Sequence, residues 1–292
     1  MKTKHNQHGG KQVSRRDFLT KGTMAASAWG VGMMTLGPTL ARENNKSGDN
    51  QGKVAIVTGS SRGIGRAIAR RLANDGFRVM VNCLNNTNLA EEVAQEIRNA
   101  GGEAQWLQAD VRDPKAVSQL FDATESVFGG IDTVINNAGV MLLAPFAQMT
   151  DDDFDRMMET NIKGGFNVLR EAAKRVHDGG NIVSISSSIT LLKTATYGPY
   201  AASKAALQIY SSVLAKELGG RQISVNAISP GVVNTTLFTD GKTPQQIQAF
   251  ADRTPHGRIG EPEDIAEVVA SLCSPTCHWI NGETIFANGG LI

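Results

Sequence analysis

Short apolar runs alternate with stretches of helical repeat from residue 53 onward. KVAIVT at Lys53 to Thr58, FRVMVNC at Phe77 to Cys83, Ala104 to Ala109, Ile131 to Ile135 and Ile182 to Ile185 are brief and largely apolar, as strands buried on both faces are. Between them, RAIARRLANDG from Arg66, Ala90 to Asn99 and Val117 to Phe128 repeat apolar positions every three or four residues, as helices with one buried face do. A longer helical stretch runs from Tyr200 through AALQIYSSVLAKELGG. Strands separated by helices need crossovers, which are right-handed. The pattern therefore predicts an α/β fold, Rossmann-like and doubly wound, with a mostly parallel sheet, helices on both faces and ligands at the carboxyl edge of the strands.

The first 50 residues break this alternation and hold eight Lys/Arg against three Asp/Glu. SRRDFLTK at residues 14–21 is followed by GTMAASAWGVGMMTLGPTLA, uncharged up to Arg42. A basic segment, a modestly apolar stretch and small residues form a targeting pattern, to be set apart from the fold. Arg15 and Arg16, with Phe18 and Leu19 behind them, resemble a bacterial twin-arginine signal. The expectation is a leader over residues 1–41, cleaved after Ala41, a linker over 42–50, engagement of the export machinery and delivery to the periplasm. Glycines, hydroxyl residues and Pro38 make the stretch too weakly apolar for a good membrane anchor.

Removing the leader changes the length argument. A chain of 292 residues suggests two domains at about 150 each, but the remaining 242 suit one, residues 51–292. Its charge also changes sign, from +1 overall to 21 basic against 25 acidic residues. With no basic stripe and 5% aromatics, a nucleic-acid surface is not expected. Cys83, Cys273 and Cys277 make no disulfide framework. Cys273-Ser-Pro-Thr-Cys277-His278 offers too few donors for a metal, so a packing role is expected there, with a bridge between the two cysteines left open.

Candidate chemistry begins after the first strand. In TGSSRGIG, Gly59 permits a tight turn, Gly63 lets backbone approach a pyrophosphate and Gly65 allows close helix packing, while the helix N-terminus supplies free N–H donors. Ser61 and Ile64 lie in the same loop. No acid ends the second strand to hold a ribose 2′-hydroxyl, and Arg62 in the loop suits a 2′-phosphate, which favours NADP(H) over NAD(H). Asn82, Asn85 or Asn86 is a candidate for the ribose, and Asp110, beside Val111, for either the adenine amino group or a turn cap. Farther on, Tyr200 and Lys204 are spaced i,i+4, so an ammonium on the same helix face is expected to lower the phenol pKa toward a useful range.

Together these motifs resemble the short-chain dehydrogenase/reductase family over residues 51–292, most nearly its 3-oxoacyl-carrier-protein reductases and sugar dehydrogenases. The glycine loop at Thr58 to Gly65, NNAG at Asn136 to Gly139, Asn161 in METNIKGGFNV, Ser187 thirteen positions before Tyr200, Lys204, and Pro230-Gly231 carry the match. The resemblance implies Tyr200 as general acid/base, Ser187 as holder of the substrate oxygen, Lys204 as holder of the nicotinamide ribose and Asn161 as orderer of a water relay. It adds Asn137, Ala138, Gly139, Pro230, Gly231, Val233 and Thr235 to the cofactor site, and a last strand within WINGETIFANGG. It implies hydride transfer between a nicotinamide and a small or amphipathic carbonyl or alcohol, without metal, in a homotetramer or dimer. A cofactor-binding regulatory protein that has lost turnover is the rival, as is an NAD-preferring alcohol or sugar dehydrogenase. The segment from Asn234 to Gly260, with Phe238, Phe250, His256 and Arg258, is expected to form the substrate lid; His256 is not expected to be catalytic.

Overall fold

The computed structural model describes residues 50–292; the expected leader, and all of the linker but Asn50, lie outside them. Seven strands, β1 (Val54–Val57), β2 (Arg78–Cys83), β3 (Glu103–Gln108), β4 (Thr133–Asn136), β5 (Asn181–Ile185), β6 (Ser224–Pro230) and β7 (Thr284–Ala287), form one sheet in the order β3-β2-β1-β4-β5-β6-β7. Every pairing is parallel. The connections therefore cross the sheet, and the order reverses direction at β1 and β4, opening a crevice where their carboxyl ends diverge.

Alternate residues of each strand feed opposite layers, because side chains on a strand point to alternate faces. Ala55 and Val57 join Ile68, Leu72, Val93, Ile97, Ile265 and Val269 from α1 (Gly63–Asn74), α2 (Thr87–Asn99) and α10 (Pro262–Leu272). Val54 and Ile56 join Leu120, Phe121, Val168, Leu169 and Ala215 from α3 (Pro114–Phe128), α5 (Gly165–Arg175) and α7 (Gly198–Glu217). The remaining helices are α4 (Asp151–Met157), α6 (Ile189–Leu192), α8 (Thr236–Thr239) and α9 (Pro244–Arg253).

Helices start earlier than their apolar repeat. The spacing predicts helix from Ala90 and Val117, whereas α2 begins at Thr87 and α3 at Pro114. The repeat marks only buried positions, and a first turn is polar. On α3, Asp113 caps the helix by accepting from the Lys115 N–H, with Pro114 in the first turn where no N–H is needed. Between α4 and α5 the rod widens into a π turn, Met158–Gly164, that contains Asn161. Glycines let the rod approach its neighbours there: a Cβ on Gly164 would stand 2.7 Å from Val111 Cγ2, and one on Gly165 2.7 Å from Leu207 Cδ2.

Candidate active site

The carboxyl ends of β1, β4, β5 and β6 open onto a cavity of about 380 Å³. All the residues named above for the cofactor line it, as do Ser187, Tyr200 and Lys204. Asn161 stands behind the wall.

The glycine loop has the shape expected of an anion cradle. Gly59 and Gly63 have φ of 62° and 55°, where a side chain is strained. A Cβ on Gly59 would also stand 2.9 Å from the Ala138 Cα, and one on Gly65 2.6 Å from the Gly59 carbonyl oxygen. Asn137 ties the end of β4 to the loop, donating from Nδ2 to the carbonyls of Thr58 and Gly59. The N-terminal residue before α1 is Arg62, whose side chain makes no capping hydrogen bond, and no acid stands in the first turn. The amides of that turn thus face the cavity without competition, as binding of a dinucleotide pyrophosphate requires. Thr235 faces Gly63 across the gap, and Gly231 donates its N–H to Ala287 at the end of β7.

Asn82 requires a correction. It is 1% exposed and its amide is spent inside the protein: Oδ1 accepts the Gly59 N–H at 3.2 Å, and Nδ2 donates to the carbonyls of Leu107 and Ala109. It shapes the loop, and both its amide hydrogens are committed to backbone carbonyls, with none left to donate to a ribose. Asp110 fills the turn-capping role, accepting from the Arg112 N–H and gripping its guanidinium at 2.7–3.0 Å, which holds its carboxyl below the usual range.

Three serines end β5, and geometry separates them. Ser186 donates to the Lys204 carbonyl and Ser188 to the Ser229 carbonyl, both buried. Ser187, partly exposed, faces the same cavity as Tyr200, and its hydroxyl accepts the Ile189 N–H at 3.3 Å. The expected lowering of the Tyr200 pKa is not what the protein alone produces. Burial pushes the phenol up to about 12, against which the neighbouring Ser187 hydroxyl pulls down. Burial also pushes Lys204 down to about 8; its Nζ donates to the Ile185 carbonyl at 2.9 Å and lies 5.9 Å from the Tyr200 ring centre. Helical spacing fixes a shared face, but desolvation sets the proton affinities here.

The Asn161 side chain clamps backbone: Oδ1 accepts the Val140 N–H, and Nδ2 donates to the Val140 carbonyl and Ser203 Oγ. A Cβ on Gly139 would stand 3.1 Å from Asn161 Oδ1 and 3.2 Å from Lys204 Nζ, so this glycine keeps the space between them open.

The expected lid is divided. Phe238 and Phe250 stack edge-on at 5.1 Å and line the cavity, whereas His256 and Arg258 do not, Arg258 being paired with Asp264 at 2.9 Å. The sequence reading did not single out Met141, Arg156, Leu192, Arg253 or Leu291, which also line it. A charge signal exists for two of them. Among the described residues, the arginines without a carboxylate partner are Arg62, Arg78, Arg156 and Arg253, and all but Arg78 line this cavity.

Comparison with known proteins places the chain in a family. A family model described as enoyl-(acyl carrier protein) reductase matches residues 59–292. A short-chain type dehydrogenase/reductase of Picea abies is 43% identical over 251 residues, covering 82% of this chain and 93% of its own. An NADPH-dependent aldehyde reductase-like protein of Arabidopsis thaliana is 40% identical, covering 82% and 94%. The crystal structure of a short-chain dehydrogenase from Burkholderia cenocepacia in complex with NADP superposes with a TM-score of 0.79 at 36% identity, covering 83% of this chain and 99% of that one. The chain belongs to the short-chain dehydrogenase/reductase family and is an NAD(P)-dependent oxidoreductase.

Proposed function

We propose that the protein uses NADP(H) to interconvert a carbonyl compound and an alcohol, with Tyr200 as the proton donor in reduction. The observation that carries this is that Ser187, Tyr200 and Lys204 line the same cavity as the glycine loop and Arg62. Bound NADPH supplies the hydride. Ser187 and Tyr200 hold the substrate oxygen, Tyr200 passes it the phenolic proton as negative charge develops, and Ser187 shares the remaining charge. Lys204, anchored to the Ile185 carbonyl, adds a positive charge beside the phenol as its proton leaves. Arg62, free of any carboxylate, suits the 2′-phosphate.

Met141, Leu192, Phe238 and Phe250 give the cavity apolar walls, while Arg156 and Arg253 add cations; this supports an amphipathic carbonyl compound. The leader supports export, and the apolar residues exposed on α5 and α7, Phe166, Ile209 and Val213, support assembly into a dimer or tetramer.

The test is purified protein with NADPH or NADH and a panel of ketones and aldehydes, followed by nicotinamide absorbance. NADPH oxidation by several carbonyls is expected; tight NADPH binding with no turnover would favour a binding protein. An α,β-unsaturated ketone separates two chemistries in the same assay. An allylic alcohol is the expected product, and a saturated ketone would overturn the proton-donor role in favour of alkene reduction.

A further inference from the structure

One turn beyond Lys204 and two beyond Tyr200 on α7 lies Gln208, half-buried, whose Nε2 lies 3.0 Å from Ser186 Oγ, 3.1 Å from Thr190 Oγ1 and 2.9 Å from Ser229 Oγ. The direction of these bonds follows from what the hydroxyls do with their own hydrogens. Ser186 donates to the Lys204 carbonyl at 2.9 Å, and Thr190 donates to the Ser187 carbonyl at 3.1 Å. Each has spent its only hydrogen and meets Gln208 as an acceptor, so the NH₂ end of the amide faces them. Two N–H groups shared among three hydroxyl oxygens thus orient two O–H groups onto the backbone carbonyls of two residues of the proposed catalytic set.

The two elements so joined also meet through the Lys204 Nζ bond to the Ile185 carbonyl and the Ser186 Oγ bond to the Lys204 carbonyl, and Gln208 extends that seam by one turn. Ser187 ends a strand, whereas Tyr200 and Lys204 ride on a helix that begins after the loop over residues 193–197. That loop holds Lys193 and Thr196 at φ of 50° and 73°. The distance between the Ser187 and Tyr200 hydroxyls therefore depends on the ties between α7 and the end of β5, of which Gln208 is the one that reaches Thr190. Gln208 reaches the Ser187 backbone through Thr190, the Lys204 backbone through Ser186 and the end of β6 through Ser229.

We propose that Gln208 is a positioning residue for the reaction: its amide locks the strand bearing Ser187 against the helix bearing Tyr200 and Lys204, and so sets their convergence on the substrate oxygen. This rests on the reading of Ser187 and Tyr200 as the oxygen-binding pair.

The experiment compares the wild-type protein with Gln208→Met, which keeps the volume and removes the donor, Thr190→Val, which cuts the Ser187 arm, and the double variant. Rates are normalised to sites titrated by NADPH, so misfolded protein does not count. For Gln208→Met, kcat is expected to fall about 10- to 100-fold, the scale of an ångström-level misplacement. KM for NADPH should stay within about twofold, since the glycine loop lies elsewhere, and the isotope effect with NADPH deuterated at the transferred position should rise as hydride transfer becomes limiting. The double variant should be no slower than Gln208→Met alone, because both act through one chain of hydrogen bonds. Gln208→Glu, which has acceptors only, should be at least as slow as Gln208→Met, and Gln208→Asn, which keeps the donors, should recover part of the rate. Unchanged kcat and isotope effect in Gln208→Met, or equal loss of kcat and NADPH affinity, would overturn the proposal. An inactive wild-type protein would instead overturn the reading on which it rests.

Discussion

Tyr200 and Lys204 share a helix face, yet burial moves them in opposite directions, one up to about 12 and the other down to about 8. At neutral pH the phenol keeps its proton, the form a donor needs for reduction. A spectroscopic titration of the cofactor-free protein against Tyr200→Phe should show no phenolate from Tyr200 until pH approaches about 12. Tyr200→Phe should also lower kcat about 10²- to 10⁴-fold with NADPH binding intact. The stability consequence of Lys204 has a definite sign. Below about 8 both folded and unfolded chains hold the lysine proton and the desolvation cost is complete; between 8 and 10.5 the folded chain releases it first, so stability rises with pH. Denaturant melts of Lys204→Met should lose that rise. Tyr200 works the other way between 10 and 12, where the folded chain retains a proton that the unfolded chain gives up. Replacing Arg62 by Ala should weaken NADPH about tenfold or more and leave NADH nearly unchanged, measured by fluorescence titration. The identities of these residues were legible because spacing and neighbours mark them. Their proton affinities were not, since burial is a property of the packed site, and Asn82 was misread because its three backbone partners come from loops and strands remote in the chain.

Elements carry their own lesson in the glycine turn between β1 and α1. Gly59→Ala would combine a strained φ with a collision against backbone, and should cost about 1–3 kcal/mol in stability and abolish most cofactor affinity, read by thermal melts with and without NADPH. The strand–turn–helix order announced this loop in the sequence because its glycines are local. The π turn around Asn161 was not legible: no helical repeat was read between Ile135 and Ile182, and the neighbours that Gly164 and Gly165 approach, Val111 and Leu207, are distant in the chain. Buried strands and one-faced helices could be read from periodicity. Their polar first turns could not, as at Thr87 and Pro114.

For the molecule as a whole, the proposed assembly makes the exposed apolar stripe on α7 the natural target. Ile209→Arg combined with Val213→Arg should shift sedimentation toward the monomer while the far-UV spectrum stays unchanged, because both side chains are about half or more exposed and support no core. If the leader directs export, Arg15→Lys with Arg16→Lys should leave the protein in the cytoplasmic fraction. Removing residues 284–292 should abolish NADPH binding, since it deletes an edge strand, the Ala287 carbonyl that receives the Gly231 N–H, and Leu291 in the cavity wall. That last point has a consequence in time as well as in space. The cavity takes its walls from Gly59 to Leu291, nearly the full length of the folded body, and the strand at its centre, β1, must wait for β4, made almost eighty residues later, to flank it. A chain still emerging from the ribosome has no complete nucleotide site, so retained cofactor marks a polypeptide made and folded through the last strand.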